Sequence, residues 1–387
     1  MDNSTLQRGS ASLFAVVFST LLLTVLTVGF VRLMIIDQHQ ATNNNLSQSA
    51  YDAALAGVED AKRVVRAAQL GNAQAMQALT DYGNTCQMIR RSGVIQGSAE
   101  AETIIASGTS STGQAFDQAY TCVKIDMNTP DFLYKSIEDK SQLIPLRATG
   151  EFDTVVVEWY KRDDEGNIGK DATSPAGEST ASDALYNKQT WGANTPALMR
   201  AQIINPGETM SLGHFDATGA TAFMRPHVPK SDVSDTNLYS GTAFSVAATP
   251  RATDGQAHDN GVTVSMCSRS FKFSGMYSCK ASIHVGTVSQ KASLNAFLRL
   301  TPLYKGASVK VSLKNSDKII SFDGVQPAVD STGRASNLFR RVEARLQIGD
   351  DFSYPENAVE LLNNLCKDFS VTNTGHSYGD CKPYNTK

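Results

Sequence analysis

A long uncharged run near the N-terminus constrains this chain more than any other feature. Residues 10–36 read SASLFAVVFSTLLLTVLTVGFVRLMII, and no charged residue lies between Arg8 and Arg32. A helix of about 20 apolar residues matches the ~30 Å hydrocarbon core of a bilayer. The run also lacks the polar stripe that a surface helix of a soluble domain carries. We therefore predict a single transmembrane helix over residues 10–36.

The sequence after this run predicts that the same helix continues as an amphipathic stalk. Small or apolar residues recur at helical spacing: Ala50, Tyr51, Ala54, Leu55, Val58, Ala61, Val65 and Ala68. No proline separates the two parts, so one helix is predicted over about residues 10–70, with a length of roughly 90 Å at 1.5 Å per residue. Gly29 and residues 43–45 are its weakest helix formers. We assign residues 37–72 to the stalk.

The nine residues before the apolar run, MDNSTLQRG, end in Arg8-Gly9. A cleaved secretory signal has a shorter apolar core followed by a small-residue cleavage site, and the residues after this run form no such site. Two interpretations stay open from this end alone. The leader is removed after Gly9, or Arg8 remains on the cytoplasmic side of an uncleaved anchor, as the positive-inside rule expects.

A short polar leader, a basic residue, Gly and a long apolar helix resemble the layout of type IV prepilins. The stalk segment SAYDAALAGVEDAKR resembles the helix of minor pilins of the PilX type. The resemblance implies that residues 1–9 are a leader that prepilin peptidase removes between Gly9 and Ser10, with methylation of the new N-terminus. It also implies that the helix leaves the cell membrane to pack against other pilins in an extracellular pilus.

One position departs from the pilin pattern. Most pilins have Glu at the fifth mature position, where this chain has Phe14. An acid inside hydrocarbon is costly and needs a partner, and in pilins that partner is the N-terminal amine of the adjacent subunit. A subunit without the acid cannot form this pair, although its own amine can still be received. The departure favours a place at the filament tip over one in the repeating shaft.

The six cysteines predict disulfides, because the part after the helix should lie outside the membrane, where disulfides form. Six cysteines allow fifteen pairings. Their grouping along the chain favours the sequential pairs Cys86–Cys122, Cys267–Cys279 and Cys366–Cys381. None has the CxxC spacing of a zinc or redox site, so the sequence predicts no metal site and no cofactor.

Residues 73–387 predict a β-rich extracellular head, so the fold class is α+β: a long N-terminal helix followed by a large, mainly antiparallel β head. Strict alternation over residues 307–314 and over residues 277–285 indicates half-buried antiparallel strands. The head is one domain or two subdomains that divide near residues 205–260, where Ser, Thr, Gly, Asn and Asp are abundant.

Local patterns give more detailed expectations for the first part of the head. We predict a short helix within residues 73–90, a loop over 97–118 and a first strand pair at 143–148 and 154–160 around Gly150. The acids at 163–165 lack the spacing of a calcium loop and predict a solvated turn. Shorter strands are predicted at 198–204 and 221–224.

The second part of the head has clearer strand patterns. They predict a hairpin near Gly275, strands at 262–266, 294–300 and 307–313, and a Ser331-Thr332-Gly333 turn. A strand follows that turn, with inward Leu338, Val342, Ala344, Leu346 and Ile348 and with Arg340 near an edge or paired with an acid. A capping box at 353–356 predicts a C-terminal helix. The loop between Cys366 and Cys381 resembles the disulfide-bounded loop that ends many pilins.

No enzyme motif occurs in the chain: no G-x-S-x-G elbow, HExxH helix, Walker loop or GxGxxG is present. The six histidines are scattered singly, and the net charge of −3 gives no case for nucleic acid. Trp159, Trp191, Tyr186 and Tyr239 are candidate sugar-stacking residues, although core packing is the commoner role of aromatics.

The resemblance therefore implies a minor pilin without catalytic activity. It would act in filament assembly or priming and in surface adhesion, with partners that are other pilins, prepilin peptidase, the membrane and an unidentified surface ligand of the head. The alternative is a single-pass, membrane-anchored surface protein that binds carbohydrate or protein and never enters a filament. A membrane-tethered hydrolase remains only if the fold assembles a constellation that the linear sequence does not show.

Overall fold

The computed structural model describes residues 8–95, 102–106, 117–164, 169–175, 188–204, 220–229, 242–245, 262–273 and 275–347. The chain divides after Ile348, and all described residues belong to the first of its two units. The predicted C-terminal helix, Ile348 and the Cys366–Cys381 pair lie outside the described residues. The predicted division of the head near 205–260 also falls mostly outside them and stays a prediction.

One helix, α1 (Arg8–Gln69), runs unbroken through 62 residues. This confirms the single helix predicted over residues 10–70, and its weak helix formers do not interrupt it. After a turn with Gly71 at positive φ, Asn72 begins the predicted short helix α2 (Ala73–Tyr82) by accepting a hydrogen bond from the Ala75 amide. A one-turn helix α3 (Met88–Arg91) follows.

Fifteen strands and a short helix complete the described part of the chain: β1 (Thr103–Ala106), β2 (Gln118–Thr129), β3 (Phe132–Lys135), β4 (Gln142–Pro145), β5 (Phe152–Lys161), β6 (Leu198–Ile204), β7 (Ala220–His227), β8 (Thr242–Ser245), β9 (Val262–Met266), β10 (Tyr277–Val288), α4 (Gln290–Ser293), β11 (Phe297–Leu303), β12 (Ser308–Asn315), β13 (Lys318–Ile320), β14 (Phe322–Ala335) and β15 (Leu338–Arg345). A 3₁₀ turn lies at Lys188–Thr190.

The strands form three sheets. A four-stranded sheet in the order β1-β2-β14-β15 packs against α1, and we name it the helix-packed sheet. A second sheet has the order β13-β12-β5-β10-β8 with β3 also on β12, and a third has the order β4-β11-β6-β7-β9. All pairs are antiparallel except β8–β10 and β7–β9. The predicted α+β fold with a largely antiparallel β head is therefore confirmed.

Two hydrophobic cores result. The second and third sheets share a sandwich core that contains Trp159, Val311, Ile283 and Leu298, all at most 1% exposed. α1, α2 and α3 cover the helix-packed sheet and enclose the second core around Val65, Val123 and Met88. Strand β14 joins the two, because Phe322 at its start is buried in the sandwich and Val329 further along is buried under α1.

The first predicted strand pair is wrong as a pair. β4 and β5 lie close to the predicted positions, but β4 pairs with β11 in the third sheet and β5 pairs with β10 and β12 in the second. The segment around Gly150 therefore crosses between two sheets and is not a hairpin turn. A hairpin within one sheet and a crossover between two sheets have the same sequence pattern, two apolar strands joined by a short connection. The pattern is the same because both sheets of a sandwich contribute apolar side chains to the core.

Two strands of the helix-packed sheet escape the sequence pattern. The short β1 lies inside the predicted loop, where Thr103 pairs with Tyr120. β2 is not among the predicted strands. A bulge near its start shifts its register, so that Cys122 pairs with Thr332 while Tyr120 pairs with Gly333. The extra residue, Thr121, places Tyr120 and Val123 on the same buried face and breaks the period of two.

The predicted Ser331-Thr332-Gly333 turn is also wrong, because these residues lie inside β14. The turn to β15 occurs later, with Ser336 at positive φ. Beyond it the predicted strand is present and three of its five inward residues are confirmed: Val342 and Ala344 pack against the helix-side core, and Leu346, just after the strand, is buried. Leu338 is only half-buried.

Other local expectations need smaller corrections. Strand β11 begins at Phe297 and not at residue 294, because Ser289 caps the short helix α4 first. β7 is longer than predicted. Asp164 is not solvated: it is 4% exposed and accepts hydrogen bonds from the Lys161 amide (2.7 Å) and the Ser308 amide (2.9 Å).

The contact between α1 and β14 depends on residues without large side chains. A Cβ at Gly333 would collide with the Ala50 carbonyl oxygen and the Ala54 amide nitrogen of the helix backbone. From the helix side, a Cβ at Gly57 would lie 2.9 Å from the Val123 side chain and would collide with the Ser331 hydroxyl. At these glycines the backbone of the helix therefore packs directly against the sheet.

We predict that Gly333→Ala destabilises the fold by about 3 kcal/mol, the upper end for overpacking, because the obstructing atoms are backbone atoms that cannot rotate away. Thermal unfolding of the full chain in detergent, followed by far-UV circular dichroism, measures the effect. Gly150→Ala is the matched control, since its Cβ would meet only Ile320, 3.9 Å away. Equal unfolding midpoints for the two variants would contradict the close contact.

Candidate functional site

The candidate functional site is helix α1, whose two parts have opposite surroundings. Every residue from 13 to 45 is exposed, and the large apolar side chains between Leu13 and Ile36 are between 48% and 73% exposed. From Ala50 onward the helix is buried on one face by the helix-packed sheet. The exposed part extends about 50 Å from the head at 1.5 Å per residue.

The apolar part of α1 could cross a membrane by its length and composition. Three threonine hydroxyls in its described part bond back to the helix: Thr20 donates to the Val17 carbonyl (2.9 Å), Thr24 to Leu21 (2.8 Å) and Thr27 to Leu23 (2.5 Å). Such internal bonds are what hydrocarbon requires, because no water is available there to satisfy polar groups.

The other end of α1 is held by small residues and a few specific hydrogen bonds. Ala50, Ala53, Ala54 and Ala61 are at most 1% exposed against the sheet. Around them, the Gln118 amide group donates to the Ser49 carbonyl (2.9 Å), the Tyr120 hydroxyl to Asp60 (2.8 Å) and Arg340 to the Ser47 hydroxyl (2.8 Å). These bonds fix the rotation of the helix about its own axis.

Arg340 and Tyr120 are the two side chains of the sheet that need further description. Arg340 lies on β15, the edge strand of the helix-packed sheet, as predicted, and bonds to the stalk and not to an acid. Burial raises the pKa of the Tyr120 hydroxyl, and its hydrogen bond to Asp60 raises it further. Tyr120 therefore stays protonated, and keeps donating to the helix, up to a higher pH than an ordinary tyrosine.

The face of α1 that points away from the sheet exposes apolar side chains to solvent. Tyr51 is 43% exposed and Leu55 is 38% exposed, although both lie beside residues that are fully buried. Together with the apolar run they leave one side of the helix available for contact along most of its length.

Gly9 and Ser10 lie in the first turn of α1, and their side chains are outside the described part. Cleavage between them stays a prediction.

Of the six predicted disulfide residues, four lie in the described part of the chain. Cys86–Cys122 and Cys267–Cys279 form disulfides, which are two of the three sequential pairs. Cys366 and Cys381 lie outside the described residues.

The two disulfides have different roles in the head. Cys86–Cys122 fastens the segment between α2 and α3 to β2 of the helix-packed sheet. Cys267 directly follows β9 of the third sheet, and Cys279 lies in β10 of the second, so this disulfide joins the two sheets of the sandwich. Both pairs are consistent with a head in an oxidising, extracellular environment.

Within the described residues, no group of three or more His, Cys, Asp or Glu side chains could hold a metal ion. Of the aromatic candidates, Trp159 is fully buried and donates to the Ala197 carbonyl (2.9 Å). Trp191 is half-buried and tilts against Tyr304, with ring centroids 4.9 Å apart. Tyr186 and Tyr239 lie outside the described residues.

Comparisons with known proteins leave the function to be argued from the chain itself. The sequence matches no protein-family model, and neither a curated protein nor a solved structure matches it.

We predict that Leu22→Arg prevents stable membrane insertion, because a charge at the centre of a spanning helix costs about 3 kcal/mol on insertion scales. Alkaline carbonate extraction of membranes should then release the variant, while the unaltered chain stays in the pellet. Asn44→Arg adds the same charge to the exposed stalk and should behave like the unaltered chain. Retention of Leu22→Arg in the pellet would contradict the assignment.

Proposed function

We propose that this chain is a membrane-anchored minor pilin that acts in the assembly or priming of a type IV pilus or related filament. The observation that carries the proposal is the form of α1: one unbroken helix, exposed and apolar at its start, seated on a four-stranded antiparallel sheet at its end. The leader ending in Arg8-Gly9 and the stalk sequence, which resembles PilX-type minor pilins, support it.

The proposed mechanism has no catalytic step. Prepilin peptidase cuts after Gly9, and the helix then moves from the bilayer into the core of the filament. There it exchanges lipid contacts for packing against the helices of other pilins, in which small and β-branched residues allow close approach. The exposed Tyr51 and Leu55 extend that contact surface up to the base of the head.

Within the proposed function, Phe14 supports a position at the filament tip. It occupies the position where most pilins carry the acid that receives the amine of the adjacent subunit, and its side chain is 73% exposed. A tip subunit has no pilin ahead of it and does not need that pair. The head would then be the first part of the filament to meet a surface, which suits a role in adhesion.

The same residue favours the second candidate function. A single-pass surface protein needs an apolar anchor but no intramembrane acid, and α1 with Phe14 satisfies that requirement as well. In this case the head binds carbohydrate or protein at the cell surface and the chain stays in the membrane with its leader intact.

We predict that the protein extracted from cells starts at Ser10 and carries an N-methyl group, because the peptidase recognises the leader up to Gly9. Mass spectrometry of the N-terminal peptide measures this directly. Gly9→Leu should block cleavage and leave residues 1–9 in place, while Gly29→Leu, in open space within the same helix, should leave processing unchanged. An N-terminus at Met1 or Asp2 in the unaltered chain supports the anchored surface protein instead.

A further inference from the structure

The helix-side core opens into a cavity of about 600 Å³ at the end of α1 farthest from the apolar run. We name it the distal cavity. α1, α2, the segment that follows α2 and strand β2 supply most of its lining, and β14 adds Asp323: Val65, Ala68, Gln69, Met76, Leu79, Thr80, Asp81, Gly83, Asn84, Thr85, Ile125, Asp126, Met127, Asn128 and Asp323. Its volume lies in the range of binding clefts.

An irregularity in β14 begins beside the cavity, at its lining residue Asp323. Asp323 pairs with Asn128, but the next pair along the strand joins Ala328 to Asp126, so β14 takes five steps where β2 takes two. Gly324 at positive φ begins the detour. The Gln326 side chain holds it open by donating to the Leu133 carbonyl (2.7 Å) and accepting from the Leu133 amide (2.8 Å). Such bulges recur beside functional sites.

The lining of the distal cavity combines an apolar floor with an acidic rim. Val65, Leu79 and Ile125 belong to the buried core below it. Asp81 and Asp126 are exposed, and Asp323 is half-buried, so all three carboxylates meet solvent at the opening. Among the described residues that line the cavity there is no Lys, Arg or His. Three like charges around an apolar hollow attract a cation that carries apolar groups with it.

These carboxylates have not been neutralised elsewhere. In the part of the chain that the structure describes, none of the ion pairs involves Asp81, Asp126 or Asp323. Other acids of the head are paired: Glu102 with Arg334 and Asp131 with Arg345, for example. The Asp126 carboxylate accepts one hydrogen bond, from the Asn128 amide (3.0 Å), but no cation among the described residues neutralises the three rim acids.

We propose that the distal cavity binds a basic, apolar peptide segment of a partner protein, with an Arg or Lys side chain between the rim carboxylates and apolar side chains on the floor. A bare metal ion does not fit, because no group of acids in the described residues is close enough to hold one. A peptide fits better than a small enclosed ligand, since Met76 at the opening is 51% exposed.

This inference does not rest on the proposed function. The cavity lies in the head, near the end of α1 that the membrane does not reach, and it is the same whether the chain enters a filament or stays an anchored surface protein. Failure to find the protein in filaments therefore leaves it intact, and failure of the peptide to bind leaves filament assembly intact.

The test uses the full chain in zwitterionic nanodiscs and a fluorescent peptide, acetyl-Leu-Arg-Leu-Arg-Leu-amide, with anisotropy as the readout. The peptide should bind more tightly than its Leu-Gln-Leu-Gln-Leu analogue and should weaken as salt rises, because exposed charge pairs are screened. The variant Asp81→Asn/Asp126→Asn/Asp323→Asn should bind it about fivefold less tightly, because the two arginines of the peptide lose two exposed charge pairs of about 0.5 kcal/mol each.

A matched control changes three exposed acids outside the cavity, Glu59→Gln/Asp163→Asn/Asp317→Asn, and should bind the peptide as the unaltered chain does. Met76→Lys tests the proposal independently of folding changes at the rim, because it supplies a cation to the cavity while all three acids stay; it should also abolish the preference for the Arg peptide. Equal affinity for both peptides, equal loss in the two triple variants, or binding that empty nanodiscs reproduce would overturn the proposal.

Discussion

The close approach of α1 to β14 is the contact on which the rest of the structure depends. Gly333 and Gly57 remove side chains from the two surfaces, so the helix backbone lies directly on the strand. The buried alanines of the helix then fill the interface without holding it apart. This contact holds a 62-residue helix by its last third, and the exposed apolar part acquires a fixed direction relative to the head.

β14 carries that constraint into the remainder of the head. Its Phe322 belongs to the sandwich core and its Val329 to the core under α1, so the strand is shared by both. The detour between them, from Asp323 to Ala328, is the place where the two cores meet and where the distal cavity opens. The disulfides lie on either side of this junction, one in each part of the head. A force applied to α1 therefore reaches the sandwich through one continuous strand.

The sequence predicted what depends on local periodicity and missed what depends on strand partners. β10 and β12 follow from alternation over residues 277–285 and 307–314, and α1 follows from an apolar run that continues at helical spacing; the structure confirms all three. The bulge at Thr121 inverts the parity only at the start of β2, and strict alternation over residues 123–128 is a strand signal that the prediction leaves unused. β4 and β5 are paired wrongly because consecutive strands of a sandwich can belong to different sheets. Ser331 and Gly333 suggest a turn by composition. They lie at every second position with Val329 and Ala335, however, and all four share the face of β14 that packs against α1. The distal cavity leaves no pattern in sequence, because its acids come from α2, β2 and β14.

In the proposed function, α1 moves the chain from a bilayer into a filament while its contact with β14 keeps the head oriented. Quantitative mass spectrometry of sheared, purified filaments tests it most directly, by counting head peptides of this chain against those of the main subunit. We expect the chain to co-purify with the filaments at far below one copy per main subunit. Its absence from filaments, with all of it recovered in the membrane fraction, would contradict the proposal.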